Sequence, residues 1–285
     1  MIDTPTTDDS NNRCDNDDIK VLVATLRASL QQSHPEINVL YSDNYLKSVL
    51  SVPNRTYEYA RDVKILGALN WRRSYNVDAL VKAFKCVSDS NGVSIFRLAE
   101  TSVIDKCIDD KKLDNSNSLI FYPSKCLVDV CESAAFCFSG FDGEGRAILL
   151  ARTSMLDWWK TGIEDGIRYH VLVIEHTLSI ILNRNASISK AGEKEKLTMN
   201  SESMVLCVDT SNMRLLSPPP LGSIIGMAKL LQIAYPDRIH QILIGPVNSL
   251  LMKLYEYVSP YLRPRSRDKI VLLDHAPNID GTQLR

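Results

Sequence analysis

Tyr235-Pro236-Asp237-Arg238-Ile239-His240-Gln241-Ile242-Leu243-Ile244-Gly245-Pro246, followed by residues 247–262, is the stretch that decides the fold. It opens on an aromatic-proline turn and passes into an apolar run, Ile239, Ile242, Leu243 and Ile244, which has the length and branching of a strand. Gly245-Pro246 breaks that run, and the period then changes. Val247, Leu250, Leu251, Leu254, Val258, Tyr261 and Leu262 fall at intervals of 3, 1, 3, 4, 3 and 1, which draws one continuous helical face. Asn248, Ser249, Lys253, Glu256 and Ser259 occupy the opposite side. Arg263, Arg265, Arg267 and Lys269 come where this amphipathic helix ends. A solvated loop could carry those four charges, and so could contact with anionic headgroups.

Outward from that stretch, strands alternate with helices from about Leu113 onward. The strand candidates are residues 147–151, 204–208, 240–244 and 269–273. Between them lie a helix over 167–182, a long polar loop over 183–203, a rigid Pro218-Pro219-Pro220 entry to a helix over Leu221–Ile233, and the amphipathic segment. Each crossover is long enough for parallel pairing, so this half is expected to be α/β, a mostly parallel sheet with helices packed on it. The helix over 167–182 is apolar nearly all round and must be covered on more than one side, by protein or by an apolar ligand.

The preceding part, residues 19–112, has a helical period and reads as a small bundle. Helices are expected over 19–32, from Ser42-Asp43 to Pro53, over 56–72, and through Leu80, Val81, Phe84 and Val87. Residues 1–18 hold Asp3, Asp8, Asp9, Asp15, Asp17 and Asp18 with almost nothing apolar, and read as a disordered acidic tail. The domains expected are therefore 1–18, 19–112 and 113–285.

Composition narrows the function. With 33 Lys plus Arg, 34 Asp plus Glu and a net charge of -1 over 285 residues, the chain lacks the basic footprint of a nucleic-acid binder. Seven cysteines with no Cys-x-x-Cys pair suggest neither a disulfide framework nor zinc. Nothing approaches the roughly 18 to 20 apolar residues of a membrane-spanning helix, and the start does not read as a secretory signal, so a cytoplasmic protein is expected.

Searches for catalytic chemistry fail on geometry. His170 and His176 are six apart on one helix, about 600 degrees of rotation, which puts them about 120 degrees apart on different faces. The glycines Gly140, Gly143 and Gly145 lead into a strand, where a dinucleotide cradle needs a helix to open. No Gly-x-Ser-x-Gly elbow or Walker lysine is present. The expectation is a protein without enzymatic activity, cofactor or metal.

The order of elements and their residues together resemble the CRAL-TRIO family of lipid-binding domains, which includes phosphatidylinositol/phosphatidylcholine and tocopherol transfer proteins. Asp43-Asn44-Tyr45-Leu46 is similar to the family's leading Asp-x-x-Leu helix, and residues 60–72 to its helix ending in Trp-Arg. The run Gly140 to Ile148 is similar to its Asp-x-x-Gly-Arg-Pro-Val turn. Tyr235-Pro236-Asp237-Arg238, Ile242-Leu243-Ile244-Gly245-Pro246, Val258-Ser259-Pro260-Tyr261-Leu262 and Lys269-Ile270 resemble its Tyr-Pro-Glu-Arg, Asn-x-Pro, Lys-Pro-Phe-Leu and Lys-Ile pieces, in order.

That resemblance implies an apolar pocket floored by the sheet and gated by residues 247–262. Its lining and gate would be Ile174, Leu178, Leu206, Ile225, Ile242, Ile244, Val247, Leu250, Leu251, Leu254, Val258 and Leu262. Arg263, Arg265, Arg267 and Lys269 would meet headgroups or membrane. The partners implied are a phospholipid or other hydrophobic ligand, and a transient membrane surface at endomembranes. Gly226 and Ser259 stand where the phosphoinositide-binding branch has a Glu and a Lys, so those two inositol contacts are not implied here. The chain ends at Arg285, soon after the last strand, before the family's usual closing segment. A protein-interaction or regulatory module with a vestigial pocket is the other reading the sequence leaves open.

Overall fold

Strands form where the sequence places parallel partners at long separation. The computed structural model describes residues 16–88, 94–99, 121, 123–192, 201–213 and 219–277. The acidic tail before Asn16, the expected boundary at 112/113 and the 193–200 part of the expected loop lie outside the described residues. The chain divides into two units, residues 1–66 and 67–285.

In the first unit, α1 (Asn16–Gln31), α2 (Ile37–Leu40) and α3 (Asp43–Leu50) precede a π-helical run, Tyr59–Ile65. Asp17 and Asp18, expected in the tail, form the acidic first turn of α1, where the helix dipole favours them. Ser42 caps α3 by accepting from Tyr45 N at 3.1 Å, as its sequence position predicts. Val23, Leu26 and Leu30 of α1 are buried, as are Tyr45, Leu46 and Val49 of α3. Arg27 joins the pieces, donating to Asp43 Oδ1 at 2.7 Å and to the Tyr41 carbonyl at 2.7 Å.

In the second unit come α4 (Leu66–Ser74), α5 (Val77–Ala83) and then a hairpin, β1 (Phe84–Ser88) paired antiparallel with β2 (Ser94–Leu98). The helix expected through Leu80, Val81, Phe84 and Val87 is thus wrong beyond Ala83. Phe84 and Phe96 turn one hairpin face into the core, a contact that outweighs the local helical spacing. Then α6 (Lys125–Cys131) and β3 (Phe136–Phe141) precede a turn into β4 (Ala147–Arg152). Asp142 holds that turn: its carboxylate accepts from Glu144 N at 3.0 Å and Arg146 N at 2.8 Å. The glycine run is therefore the tip of a hairpin.

After α7 (Trp158–Thr161) comes α8, Ile163–Lys190, much longer than the expected 167–182 helix. Residues 183–190, expected as loop, continue it because Arg184 reaches back to the Gly145 carbonyl at 2.7 Å and lies over the Phe141 ring at 4.2 Å. β5 (Met204–Asp209), α9 (Leu221–Ile233), β6 (Ile239–Gly245), α10 (Ser249–Val258), α11 (Pro264–Arg267) and β7 (Ile270–Leu272) complete the unit.

The five-stranded sheet runs β3-β4-β5-β6-β7, with β3 antiparallel to β4 and the other pairs parallel. Spatial order follows chain order. Parallel crossovers are right-handed, so α8, α9 and α10 all fall on one face of the sheet. Side chains alternate accordingly. Leu149, Met204 and Ile239 join the core with Val171, Ile174 and Leu230 of the helices, whereas Ile148, Leu150, Val205, Cys207 and Leu243 cluster on the reverse face.

Candidate functional site

Burial varies along both sheet faces, with Ala147, Leu149 and Met204 buried on the helix-bearing side and Val271 and Leu273 half-buried on the reverse. On the reverse face Val205 and Cys207 are completely buried and Leu243 is 2% exposed. On the helix-bearing face, Leu206 and Val208 of β5, Ile242 and Ile244 of β6, and Ile270 and Leu272 of β7 are only half-buried. These six are register partners, Leu206 beside Ile242, Val208 beside Ile244, Ile242 beside Ile270 and Ile244 beside Leu272, so they form one apolar sheet surface.

Above that surface α9 is apolar almost throughout, Leu-Gly-Ser-Ile-Ile-Gly-Met-Ala-Lys-Leu-Leu-Gln-Ile, yet buries only Ser223 and Leu230. Ile224, Ile225, Met227, Ala228 and Leu231 are half-buried and Ile233 is exposed. The α8 helix flanks it closely: a Cβ added at Gly222 or Gly226 would stand 2.9 Å from Ile163 Cδ1 or Ile167 Cδ1 respectively. At both positions the close atom is the far end of an isoleucine side chain.

The amphipathic helix is present as α10, capped by Asn248 Oδ1 accepting from Leu251 N at 2.9 Å. Its apolar stripe is half-buried at Leu250, Leu251 and Leu254 and buried only at Val258. Val247 ahead of it and Leu262 beyond it are half-buried. Helix α9 lies against α8, and α10 runs on into the turn Ser259–Tyr261. Tyr257 and Tyr261, each 57% exposed, stand outward from its end.

The expected residues are thus distributed unevenly. Ile174 is wholly buried in the core and Leu178, one turn on, packs on that core from a half-buried position. Leu206, Ile225, Ile242 and Ile244 are half-buried, with Leu206 and Ile242 packed against the core. Val208, Met227 and Leu231 are half-buried as well, Met227 and Leu231 against the core, and strand parity with Leu206 and helical spacing from Ile224 pointed to them. Arg263, Arg265 and Arg267 are exposed, and Arg265 approaches Asp237 at 4.0 Å. Lys269 departs from the set: its ammonium donates to the Ile239 carbonyl and ties β7 to the start of β6.

The Tyr-Pro-Asp-Arg motif is a structural clamp. Tyr235 donates to Glu175 Oε1 at 2.8 Å, and Arg72 meets the same oxygen at 2.6 Å. Arg238, 2% exposed, donates to Glu202 Oε2 at 2.9 Å. Trp71 stacks on Tyr75 at 4.7 Å and meets Tyr235 edge-on at 6.3 Å. The Trp-Arg end of α4 and the turn before β6 are therefore parts of one assembly.

His170 is buried against Phe136 and Trp158, with Nδ1 2.6 Å from the Gly166 carbonyl, and burial lowers its pKa to about 4. His176 faces the edge of Phe96, and burial also depresses its pKa. His240 receives Arg146 Nη1 at Nε2, 2.7 Å away, and is depressed by burial and by the charges of Arg146 and Lys269. Burial raises the Cys207 thiol to about 11. Among the described residues no His, Cys, Asp and Glu cluster could hold a metal, and no helix is long and apolar enough to cross a membrane.

A mostly parallel sheet in sequential strand order, with its crossover helices on one apolar face, is an α/β domain. Residues 132–280, just over half of the chain, match the CRAL/TRIO domain, and the chain belongs to that family of lipid-binding and lipid-transfer domains. The fold is similar to the crystal structure of Sfh5, with a TM-score of 0.56 at 14% identity over 92% of this chain and 82% of that one. No curated protein sequence matches.

Proposed function

We propose that this protein is a non-enzymatic carrier that holds one hydrophobic ligand between the sheet and helices α8 to α10, and exchanges it at membranes by displacement of α10. The observation that carries this reading is α9. A helix apolar on nearly every side, with most of its residues half-buried, leaves surface that wants an apolar cover. A two-chain lipid with about 30 methylenes would cost about 24 kcal/mol to expose to water at ~0.8 kcal/mol each, so carriage demands such a surface. It demands no covalent chemistry.

The exposed Tyr257, Tyr261, Arg263 and Arg267 suit an interfacial contact, aromatic rings at headgroup depth and cations on anionic lipid. The protein then works from the cytoplasm, with transient binding at endomembranes. The test is transfer of a self-quenched fluorescent phospholipid from donor to acceptor vesicles. Dequenching that rises in proportion to protein concentration supports the carrier, and a rate equal to the protein-free rate refutes transfer.

A further inference from the structure

The basic turn after α10 carries a serine in its middle. Arg263-Pro264-Arg265-Ser266-Arg267 places one arginine three residues before Ser266 and one on either side of it. Ser266 is half-buried, and its hydroxyl makes no hydrogen bond among the described residues. All three arginines are exposed. Arg265 approaches Asp237 at 4.0 Å, and the guanidinium groups of Arg263 and Arg267 have no ion-pair partner among the described residues.

The spacing Arg-x-x-Ser occurs at 184–187, 214–217 and 263–266. The second lies outside the described residues. At the first, Ser187 Oγ donates to the Asn183 carbonyl at 3.0 Å within the long helix α8, and Arg184 is engaged by the Gly145 carbonyl and the Phe141 ring. Neither its hydroxyl nor its arginine is available. At the third, the backbone is extended at Arg263 and then makes the single turn α11. The amides of Ser266 and Arg267 hold that turn on the Arg263 carbonyl, at 2.8 and 3.1 Å. A helix of four residues has little stability of its own, so it opens at small cost into the extended form that a kinase groove takes.

We propose that Ser266 is a phosphorylation site for a protein kinase with an acidic substrate groove, and that phosphate there releases the protein from anionic membranes. Carboxylates in such a groove pair with the arginines three residues and one residue before the target hydroxyl. In the transfer the bond from Ser266 Oγ to the γ-phosphorus of Mg-ATP forms as the bond from that phosphorus to the bridging oxygen breaks. ADP leaves, and the hydroxyl proton passes to the kinase's catalytic carboxylate. Residues 263–268 carry three arginines and one aspartate, a net charge of +2, which a phosphate of about -2 cancels. Arg263 and Ser266, three apart in one turn, share a face, so the new anion also pairs with Arg263. The membrane half rests on the interfacial contact proposed above and gives it a regulator.

The test treats the full chain and Ser266→Ala with the catalytic subunit of cAMP-dependent protein kinase and Mg-ATP, and locates phosphate by peptide mass spectrometry. Binding is then measured to phosphatidylcholine vesicles with and without phosphatidylserine. Wild type is expected to take phosphate at Ser266 and to bind the phosphatidylserine vesicles about tenfold more weakly, or weaker still, while binding to pure phosphatidylcholine changes by less than about twofold. Ser266→Asp should weaken binding in the same direction by a smaller factor. Ser266→Ala, treated in the same way, should bind as untreated wild type does. Phosphate at Ser187 or Ser217 with Ser266 unmodified, or no phosphate at all, overturns the site. Phosphate at Ser266 with unchanged binding to phosphatidylserine overturns the switch. Untreated wild type that ignores phosphatidylserine overturns the switch together with the interfacial contact, and vesicle-to-vesicle transfer decides the carrier reading separately.

Discussion

The hydroxyl of Tyr235 donates to Glu175 Oε1 at 2.8 Å, tying the turn before β6 to the middle of α8. Arg72 reaches the same oxygen at 2.6 Å while its other nitrogens hold Asp78. With side-chain exposures of 14% for Arg72 and 9% for Glu175, the pair is largely screened from water. Glu175→Ala leaves a buried guanidinium short of one partner and should cost about 2–4 kcal/mol in urea unfolding. Tyr235→Phe removes one charge-assisted hydrogen bond and should cost about 1–2 kcal/mol. If Glu175→Ala unfolds at the wild-type midpoint, the clamp contributes nothing.

Two glycines make opposite predictions. A Cβ at Gly226 comes too close to Ile167 Cδ1, the far end of a flexible side chain, at 2.9 Å, and meets Ile167 Cγ1 and Ile163 Cγ2 at ordinary contact distance. Gly226→Ala gains helix propensity against a small displacement and should change stability by no more than about 1 kcal/mol. A Cβ at Gly245 runs into the His275 carbonyl and stands 2.8 Å from Leu273 Cβ. Backbone there cannot yield without parting β6 from the segment after β7, so Gly245→Ala should cost about 3 kcal/mol or more. Thermal melts of the two variants compare them directly.

Acid should destabilise the protein through its buried histidines. His170 has a folded pKa of about 4 against 6.5 when solvated, because burial disfavours its charged form. The unfolded chain takes up the proton first as pH falls, so stability is complete above pH 6.5 and is lost on the way down to about 4. The loss from this residue is of order 3 kcal/mol. His176 and His240, also depressed, add in the same direction. A melting temperature measured at intervals from pH 7 to 4 should fall steadily, and His170→Leu should flatten the slope. A flat wild-type profile would show that His170 is not held neutral.

The half-buried stripe of α10 separates a gate from a core. Leu251→Asp and Leu254→Asp should abolish lipid uptake and leave the far-ultraviolet circular dichroism nearly unchanged, since neither side chain is fully buried. Unfolding of both variants would make the helix ordinary core.

Most of the second unit was legible because its signals are local and redundant. Ser42 as a cap in the first unit, the Leu221–Ile233 helix and the four parallel strands all arise from short-range pattern. The hairpin was not, because Leu80, Val81, Phe84 and Val87 satisfy a helical period, and only the burial of Phe84 and Phe96 in the core decides for strands. The extension of α8 through residue 190 was equally hidden: its last turns are polar, and the stabilising contact is Arg184 on Gly145 and Phe141, far away in sequence. β3 was overlooked because its strand signal, Phe136-Cys137-Phe138, is short, and the Gly-rich turn after it points more plainly to β4.

The candidate site was legible as a set of apolar faces and not as an arrangement. Periodicity identified Leu251 and Leu254 as one stripe and Leu206 and Ile242 as strand interior. It could not show which apolar strand residues stay half-buried, nor that Lys269 is engaged by the Ile239 carbonyl. Those depend on how long side chains choose among competing partners across the fold.

Native mass spectrometry of the protein as purified from its expression host addresses the central claim most directly. The account predicts a population heavier than the polypeptide by a single species of a few hundred daltons, released on denaturation and extractable into organic solvent. Apo mass alone, persisting after incubation with phospholipid vesicles and with fatty acid, would contradict it.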